Sequence, residues 1–316
     1  MKNLRVLFMG TPYFAVNSLK MLVENTSVIG VVTQPDKPKG RGHKVSASPV
    51  KIFAESQNIP VYQPAKVKDE SFIAELCKLN PDIVIVVAFG QILPKKILDF
   101  PKYGCINVHA SLLPKYRGAA PIEYSIINGE EKTGVTTMYM DVGLDTGDIL
   151  LTEEVAITED ETADELRQVL SECGANVLKE TLKQIVSGNI KRIVQNDNEA
   201  CYASMISKET GKIDWNKTSK EIHNLVRGLN STSVAHTKLN DEVFKIWRTK
   251  LVKNNDDFND NSFQNGAIIK TDNEGILVKT SDGNILIVEL QTAGKKRMTA
   301  KDFLRGNKIN LPAKFE

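Results

Sequence analysis

A chain of 316 residues with 41% apolar and 25% charged residues has the composition of a globular protein and the length for two modest cores. No apolar run approaches the about eighteen residues of a membrane span, and MKNLRVLFMG reaches polar Thr11 too early for a signal peptide, so a cytoplasmic protein without membrane attachment is expected. The net charge of +2 hides an uneven distribution: residues 1–207 hold 22 Lys+Arg against 25 Asp+Glu, residues 208–316 hold 19 against 14, and a basic C-terminal third points weakly to a polyanion.

In chain order, Leu4 to Met9 reads as a buried strand ending at Gly10-Thr11-Pro12. Phe14, Val16, Leu19, Leu22 and Val23 recur at helical spacing, and Val28 to Thr33 gives a second apolar strand. This is a βαβ unit. The turn MGTPYFA lacks the G-x-G-x-x-G spacing, and no acidic residue closes the second strand, so no dinucleotide is expected there. The alternation continues through a helix around Phe72 to Leu79 and strands at Ile83 to Ala88, Cys105 to His109 and Val135 to Met140. Such a pattern predicts an α/β domain with a doubly wound, mainly parallel sheet, whose ligands gather beyond the carboxyl ends of its strands.

Between Gln34 and Pro49, two prolines precede Gly40 and Gly42, and Lys37, Lys39, Arg41 and Lys44 add four positive charges. The composition predicts an exposed loop without helix or central strand, suited to gripping phosphates without reading sequence. Thr162 and Glu165 form a capping box that opens a long helix ending at Ser187, with Gly188-Asn189 as its stop. The first domain is therefore expected over 1–189, and 190–207 reads as a connection. The second, over 208–316, opens with a helix capped by Thr218 and Glu221. Short strands follow near Val243 to Trp247, Gly266 to Lys270, Gly275 to Thr280 and Asn284 to Leu290, with Asp282-Gly283 as a hairpin turn, which predicts a small OB-like β-barrel. The stretch Asn254 to Asn261 reads as a mobile loop. Cys77, Cys105, Cys173 and Cys201 are scattered without a CxxC pair, so buried free thiols and no metal site are expected.

The chemistry concentrates in GCINVHASLLPKYRGAAP, Gly104 to Pro121. In Asn107-Val108-His109, strand alternation throws the two polar side chains to one face, and Leu113-Pro114 and Gly118 force the chain to turn just beyond. The acidic loop Gly143-Leu144-Asp145-Thr146-Gly147 can fold nearby. Asn107, His109 and Asp145 suit acyl transfer to an amine. The amide can donate to a carbonyl oxygen as it turns anionic, the imidazole can donate to that oxygen or relay a proton, and the carboxylate can fix the imidazole. No serine or cysteine nucleophile is needed if the substrate brings its own amine.

HASLLPKYRGAAPI at His109 to Ile122, with GLDTGDIL at Gly143 to Leu150, resembles the formyltransferase family that uses 10-formyltetrahydrofolate. MGTPYFA at Met9 to Ala15, the loop from Gln34 to Lys51 and the C-terminal barrel narrow the resemblance to members that act on initiator methionyl-tRNA, and it spans essentially the whole chain. It implies a Rossmann-like formyltransferase domain and a tRNA-binding barrel. The implied reaction carries the formyl group of 10-formyltetrahydrofolate to the α-amine of methionine on initiator tRNA, for translation initiation. Asn107, His109 and Asp145 match the family's catalytic trio, and Ser111, Leu112, Leu113 and Pro114 its folate-binding SLLP motif. Phe89, Gly90, Gln91 and Ile92, with the loop from Asp141 through Val142 and Gly143 to Thr146, are expected to wall the pterin pocket. Lys37, Lys39, Arg41 and Lys44 correspond to the family's tRNA-contacting insertion. Here the second glycine is followed by His43-Lys44 where basic residues are usual, so the charge of this loop varies with pH. No metal is implied, and no apolar surface pattern demands a partner subunit, so a monomer is expected.

Overall fold

Strand β1 (Arg5–Gly10) is buried from Val6 onward in the computed structural model, which describes residues 1–39, 44–252 and 263–316. Helix α1 (Val16–Asn25) carries Leu19, Met21 and Leu22 into the core, and the chain returns along β2 (Ser27–Val32), parallel to β1. A small antiparallel hairpin follows, β3 (Lys37–Lys39) with β4 (Lys44–Ser46), where an irregular loop was expected. It stands alone as a two-stranded ribbon, a place where Pro38, with no N–H to donate, is tolerated. Its turn, with Arg41, lies outside the described residues, as does the expected loop at 254–261.

Helix α2 (Pro49–Ser56) starts on a Ser48 cap that accepts from Lys51 N, with proline in the first turn where a missing N–H costs nothing. Then come β5 (Val61–Tyr62), α3 (Glu70–Leu79), β6 (Ile83–Val87), α4 (Lys95–Asp99), β7 (Cys105–His109), β8 (Arg117–Gly118), α5 (Pro121–Ile127), β9 (Lys132–Tyr139), β10 (Ile149–Ala156), α6 (Ala163–Ser187) and β11 (Tyr202–Ala203). The main sheet has the order β10-β9-β7-β6-β1-β2-β5. From β5 to β7 it is parallel, and the winding direction reverses between β1 and β6, which opens a crevice at their carboxyl ends. The strand expected at Val135 to Met140 is present as β9 but runs antiparallel to β7, as β10 does to β9. Thr162 and Glu165 cap α6 reciprocally, Thr162 N donating to Glu165 Oε2 (2.8 Å) and Glu165 N to Thr162 Oγ1 (3.4 Å).

The described chain divides into two units, Met1–Pro121 with Lys132–Ala156 and Arg167–Ala203, and Ile122–Glu131 with Ile157–Leu166 and Ser204–Glu316. The second contains α7 (Ser219–Gly228), with the capping box of Thr218 and Glu221 in place, and strands β12 (His236–Leu239), β13 (Glu242–Leu251), β14 (Ala267–Thr271), β15 (Ile276–Lys279), β16 (Asn284–Thr292) and β17 (Met298–Thr299). Helix α8 (Ala300–Gly306) and strand β18 (Ala313–Lys314) complete it. The order β12-β13-β16-β15-β14-β18 is antiparallel throughout, and Glu316 N donates to Lys238 O (3.0 Å), so the sheet curls back to its first strand as a nearly closed barrel. Asp282-Gly283 turns the β15–β16 hairpin as expected. Trp215 stacks on Phe315 and Phe244 meets Phe303 and Phe315 edge-on, each pair at 5.6 Å, inside the barrel core. The segment 157–166 belongs to this unit because buried Arg227 donates to Thr158 O (3.2 Å) and Glu161 O (2.9 Å), satisfying a guanidinium that would otherwise be buried at heavy cost.

The four thiols are free but not all buried, which corrects the expectation. Cys77 and Cys201 are exposed. Cys77 falls just off the stripe of Phe72, Ile73 and Leu76 that α3 turns inward. Burial, and secondarily the charge of Asp99, pushes the Cys105 thiol up to about 12, and burial, then Glu153, pushes Cys173 up to about 11. Iodoacetamide at about pH 8 is therefore expected to label Cys77 and Cys201 and to leave Cys105 unmodified until the chain unfolds, as peptide mass spectrometry would show. Among the described residues no helix is long and apolar enough to cross a membrane.

Candidate active site

Strand β7 is buried along its whole length, and its alternation places Asn107 and His109 on one face while Val108 faces α6, its Cγ1 3.1 Å from where a Cβ on Gly174 would lie. The His109 ring is fixed at Nε2, which bonds the Tyr116 carbonyl at 2.9 Å. That carbonyl is presented by a residue at φ +59, whose N–H donates to Cys201 Sγ (3.2 Å). A non-glycine residue in the left-handed region costs about 1 kcal/mol or more, and such outliers gather where function over-determines the backbone. Asp145, at φ +55, is a second.

Because β9 runs antiparallel, the acidic loop leaves the sheet opposite Cys105, with Met140 N donating to Cys105 O (2.9 Å), and then folds back. The return brings Asp145 to the polar face of β7. Its Oδ2 lies 3.6 Å from His109 Nδ1 and accepts from Gly118 N at 2.8 Å, while Oδ1 receives a long contact from Asn107 Nδ2 at 3.4 Å. All three side chains are thus brought together, and all are largely shielded from solvent. The 3.6 Å gap exceeds hydrogen-bond range, so the firm partner of the imidazole is Tyr116 O.

The loop's supports come from residues that the sequence reading passed over. Gln195 Nε2 donates to Asp145 O (2.8 Å) and Gly147 O (2.7 Å), and its Oε1 accepts from Arg117 Nε (3.1 Å) and Nη2 (2.8 Å). Arg117, only 2% exposed, also pairs with Asp197 at 2.8 Å. Strand β11 pairs with β8 at Arg117 and Gly118, and Ile193 bridges Ile149. The 190–207 stretch is therefore irregular yet pinned, because its polar atoms close the site's hydrogen bonds instead of following a helical or strand period. No periodic signal marks it.

The residues expected to wall a pterin pocket divide into two kinds. Phe89 is buried, and its carbonyl accepts from Thr11 Oγ1 and Gln34 Nε2, both at 3.2 Å. Gly90 stands at φ +83, and a Cβ there would meet only Gln34 Nε2, at 3.8 Å. Gln91 Oε1 accepts from Val67 N (2.8 Å), which leaves Nε2 buried and without a protein acceptor. Ile92, Val142 and Leu144 are exposed apolar side chains. A buried donor without a protein acceptor, followed in the chain by exposed Ile92, suits a flat heterocycle with polar edges. Asp141 Oδ1 instead ties its own loop, accepting from Gly143 N (2.8 Å) and Thr146 Oγ1 (2.7 Å). In the SLLP segment Ser111 Oγ donates to Lys115 O (2.7 Å), and Leu113 packs with Met138 and Ile149 while its N–H meets Thr136 Oγ1 at 3.2 Å. Leu112 and Pro114 are only partly buried.

At the foot of the β3–β4 hairpin, Asp36 accepts from Lys51 Nζ (2.6 Å) and Gln63 Nε2 (2.7 Å), and these bonds hold its carboxyl below the usual range. Lys37 is exposed. In the second unit a cavity of about 410 Å³ is lined by Lys208, Lys212, His236, Lys238 and Lys245 among others, and the register sets Lys212, His236 and Lys245 side by side across neighbouring chains.

Residues 2–182 match the formyl transferase family and residues 205–308 the formyl transferase C-terminal domain. The chain belongs to the formyl transferase family. Similar full-length relatives are the methionyl-tRNA formyltransferases of Clostridioides difficile (strain 630), 54% identical with 97% of this chain and 98% of the relative covered, and of Ruminiclostridium cellulolyticum, 52% identical with 99% of each covered. Among solved structures the fold is shared with a sugar 3N-formyl transferase determined in the presence of dTDP and 5-N-formyl-THF (TM-score 0.65, 23% identity, 94% of this chain and 100% of that one). It is shared also with HypX from Aquifex aeolicus in complex with tetrahydrofolic acid (TM-score 0.64, 16% identity, 99% of this chain and 51% of that one). Both family domains, the Rossmann-like sheet and the barrel, are present in this formyl transferase.

Proposed function

We propose that this chain transfers the formyl group of 10-formyltetrahydrofolate to the α-amine of methionine on initiator methionyl-tRNA, giving N-formylmethionyl-tRNA. The observation that carries the chemistry is the convergence of Asn107, His109 and Asp145 on one shielded face beside a strand-end crevice. The near full-length similarity to methionyl-tRNA formyltransferases supports the choice of acceptor.

10-Formyltetrahydrofolate supplies a carbonyl carbon on a nitrogen leaving group. Asn107 spends Nδ2 only on a 3.4 Å contact, so it keeps a donor for the formyl oxygen as negative charge grows there. His109 holds Tyr116 O through Nε2, so Nδ1, 3.6 Å from Asp145 Oδ2, is the ring atom left to take the proton released by the attacking amine. Asp145, fixed by Gly118 N, balances the imidazolium that results. Of the two roles open to the imidazole from sequence, this geometry supports the proton relay. His109 then returns the proton to the departing nitrogen.

Phe89 to Ile92, Ser111 to Pro114 and Asp141 to Gly143 wall the folate in this reading, with Gln91 Nε2 as the donor that gains an acceptor. Lys37, Lys39, Arg41 and Lys44 hold the acceptor end of the tRNA, and the domain over 208–316 holds its body. Lys37→Ala and Arg41→Ala are expected to raise KM for charged tRNA several-fold, to lower the salt dependence of kcat/KM by about one unit of slope each, and to leave KM for the folate unchanged in steady-state assays. An acceptor panel separates the competitors. Charged initiator tRNA is expected to be formylated far faster than an amino-sugar nucleotide. Preference for the sugar, or formate release without an acceptor, would replace this reading by a sugar formyltransferase or a hydrolase, and no turnover at all by a non-catalytic RNA-binding protein.

A further inference from the structure

We propose that Gln195, clamped by the buried Arg117 guanidinium, is a positioning residue that sets Asp145 against His109. The inference rests on the formyl-transfer reading only for its kinetic readout. Two guanidinium N–H groups, Nε and Nη2, converge on the single oxygen Oε1 at 3.1 and 2.8 Å, which fixes the orientation of the Gln195 amide. Its Nε2 must then face the other way, where it meets the carbonyls of Asp145 (2.8 Å) and Gly147 (2.7 Å) and spans the turn between them. The residue after Arg117 completes the arrangement: Gly118 N donates to Asp145 Oδ2 at 2.8 Å. Arg117-Gly118 thus controls Asp145 at both ends, the main chain through Gln195 and the carboxylate directly.

A stability role alone does not call for this arrangement. Burying a guanidinium is costly, and apolar side chains of similar volume stabilise at least as well. What apolar groups cannot do is hold two carbonyls at fixed points while Asp145 sits at φ +55.

The variant Gln195→Glu separates positioning from mere pairing. The new carboxylate still accepts from Arg117, so a simple partner of the buried arginine is preserved, but it has no N–H for the Asp145 and Gly147 carbonyls. Expected are a fall in kcat of about 10–100-fold, as for a misplacement on the order of 1 Å, with both KM values within about threefold. Hydrogen exchange at the Gly118 amide should speed up by about tenfold or more relative to amides of β1. A kcat within about twofold of wild type, or exchange that accelerates equally at Gly118 and in β1, overturns the proposal. Because the exchange measurement needs no substrate, it decides the positioning role even if the wild-type chain fails to formylate charged tRNA, an outcome that would sink the formyl-transfer reading instead.

Discussion

Asn107→Ala and His109→Ala are each expected to lower kcat by about 10²–10³, on the order of 3–4 kcal/mol of transition-state stabilisation, while the KM for 10-formyltetrahydrofolate changes little. In the ground state Asn107 Nδ2 makes only a 3.4 Å contact with Asp145, so its donor strengthens where charge develops and not before. His109 contributes where a proton is in transit, with Nε2 tied to Tyr116 O and Nδ1 facing the carboxylate. Removing either leaves the crevice between β1 and β6 intact, which is why folate affinity should survive. Steady-state kinetics with each substrate varied in turn checks the split. A rise in KM at constant kcat would assign the residue to binding instead.

Gly147→Ala is expected to lower kcat by about 10² and stability as well, although position 147 holds no chemistry. A Cβ there would lie 1.8 Å from the Tyr139 carbonyl oxygen and 2.8 Å from its carbon. Both atoms are backbone, in a segment where Tyr139 N already donates to Asp148 O (2.9 Å), so no side chain can rotate aside. The turn itself must move, and Asp145 moves with it, since Gln195 ties the two carbonyls together. A displacement on the order of 1 Å costs about 10² in rate, and the strain costs about 1–3 kcal/mol of stability. Kinetics and thermal melting should show both losses together. A melting point and kcat both near wild type would mean that the loop is free to shift, contrary to the described hydrogen bonds.

These two sites differ in how far the sequence revealed them. Asn107 and His109 were legible because a strand has a period of two, so residues 107 and 109 share a face wherever the strand lies. Asp145 was legible as an acidic residue between two glycines, but its route was not, because nothing local in KTGVTTMY says that β9 runs against β7. Strand direction follows from how the chain crosses the sheet, a long-range property. Gln195 and Arg117 were missed for a related reason: their partners are main-chain carbonyls and a side chain about 80 positions away, which no spacing rule connects. At the level of architecture, apolar strands alternating with helical stripes disclosed the βαβ start, and short strands with Asp282-Gly283 disclosed the barrel. Membership of 157–166 in the second unit was hidden, since it depends on Arg227 finding Thr158 O and Glu161 O across nearly seventy residues. From Gln34 to Ser48 the described residues hold no helix, as read, yet the prolines did not prevent a two-stranded ribbon, because an isolated hairpin leaves edge positions where a missing N–H costs little.

The most direct test of the account follows the formyl group itself. The chain is incubated with 10-formyltetrahydrofolate carrying an isotopic label in the formyl carbon and with initiator tRNA charged with methionine. The tRNA is then recovered and its amino acid released and analysed. The account predicts label in N-formylmethionine, one formyl per charged tRNA, with formation slowed about 10²–10³ in Asn107→Ala and His109→Ala. Label found only in formate, or formylmethionine formed equally fast by those variants, would contradict it.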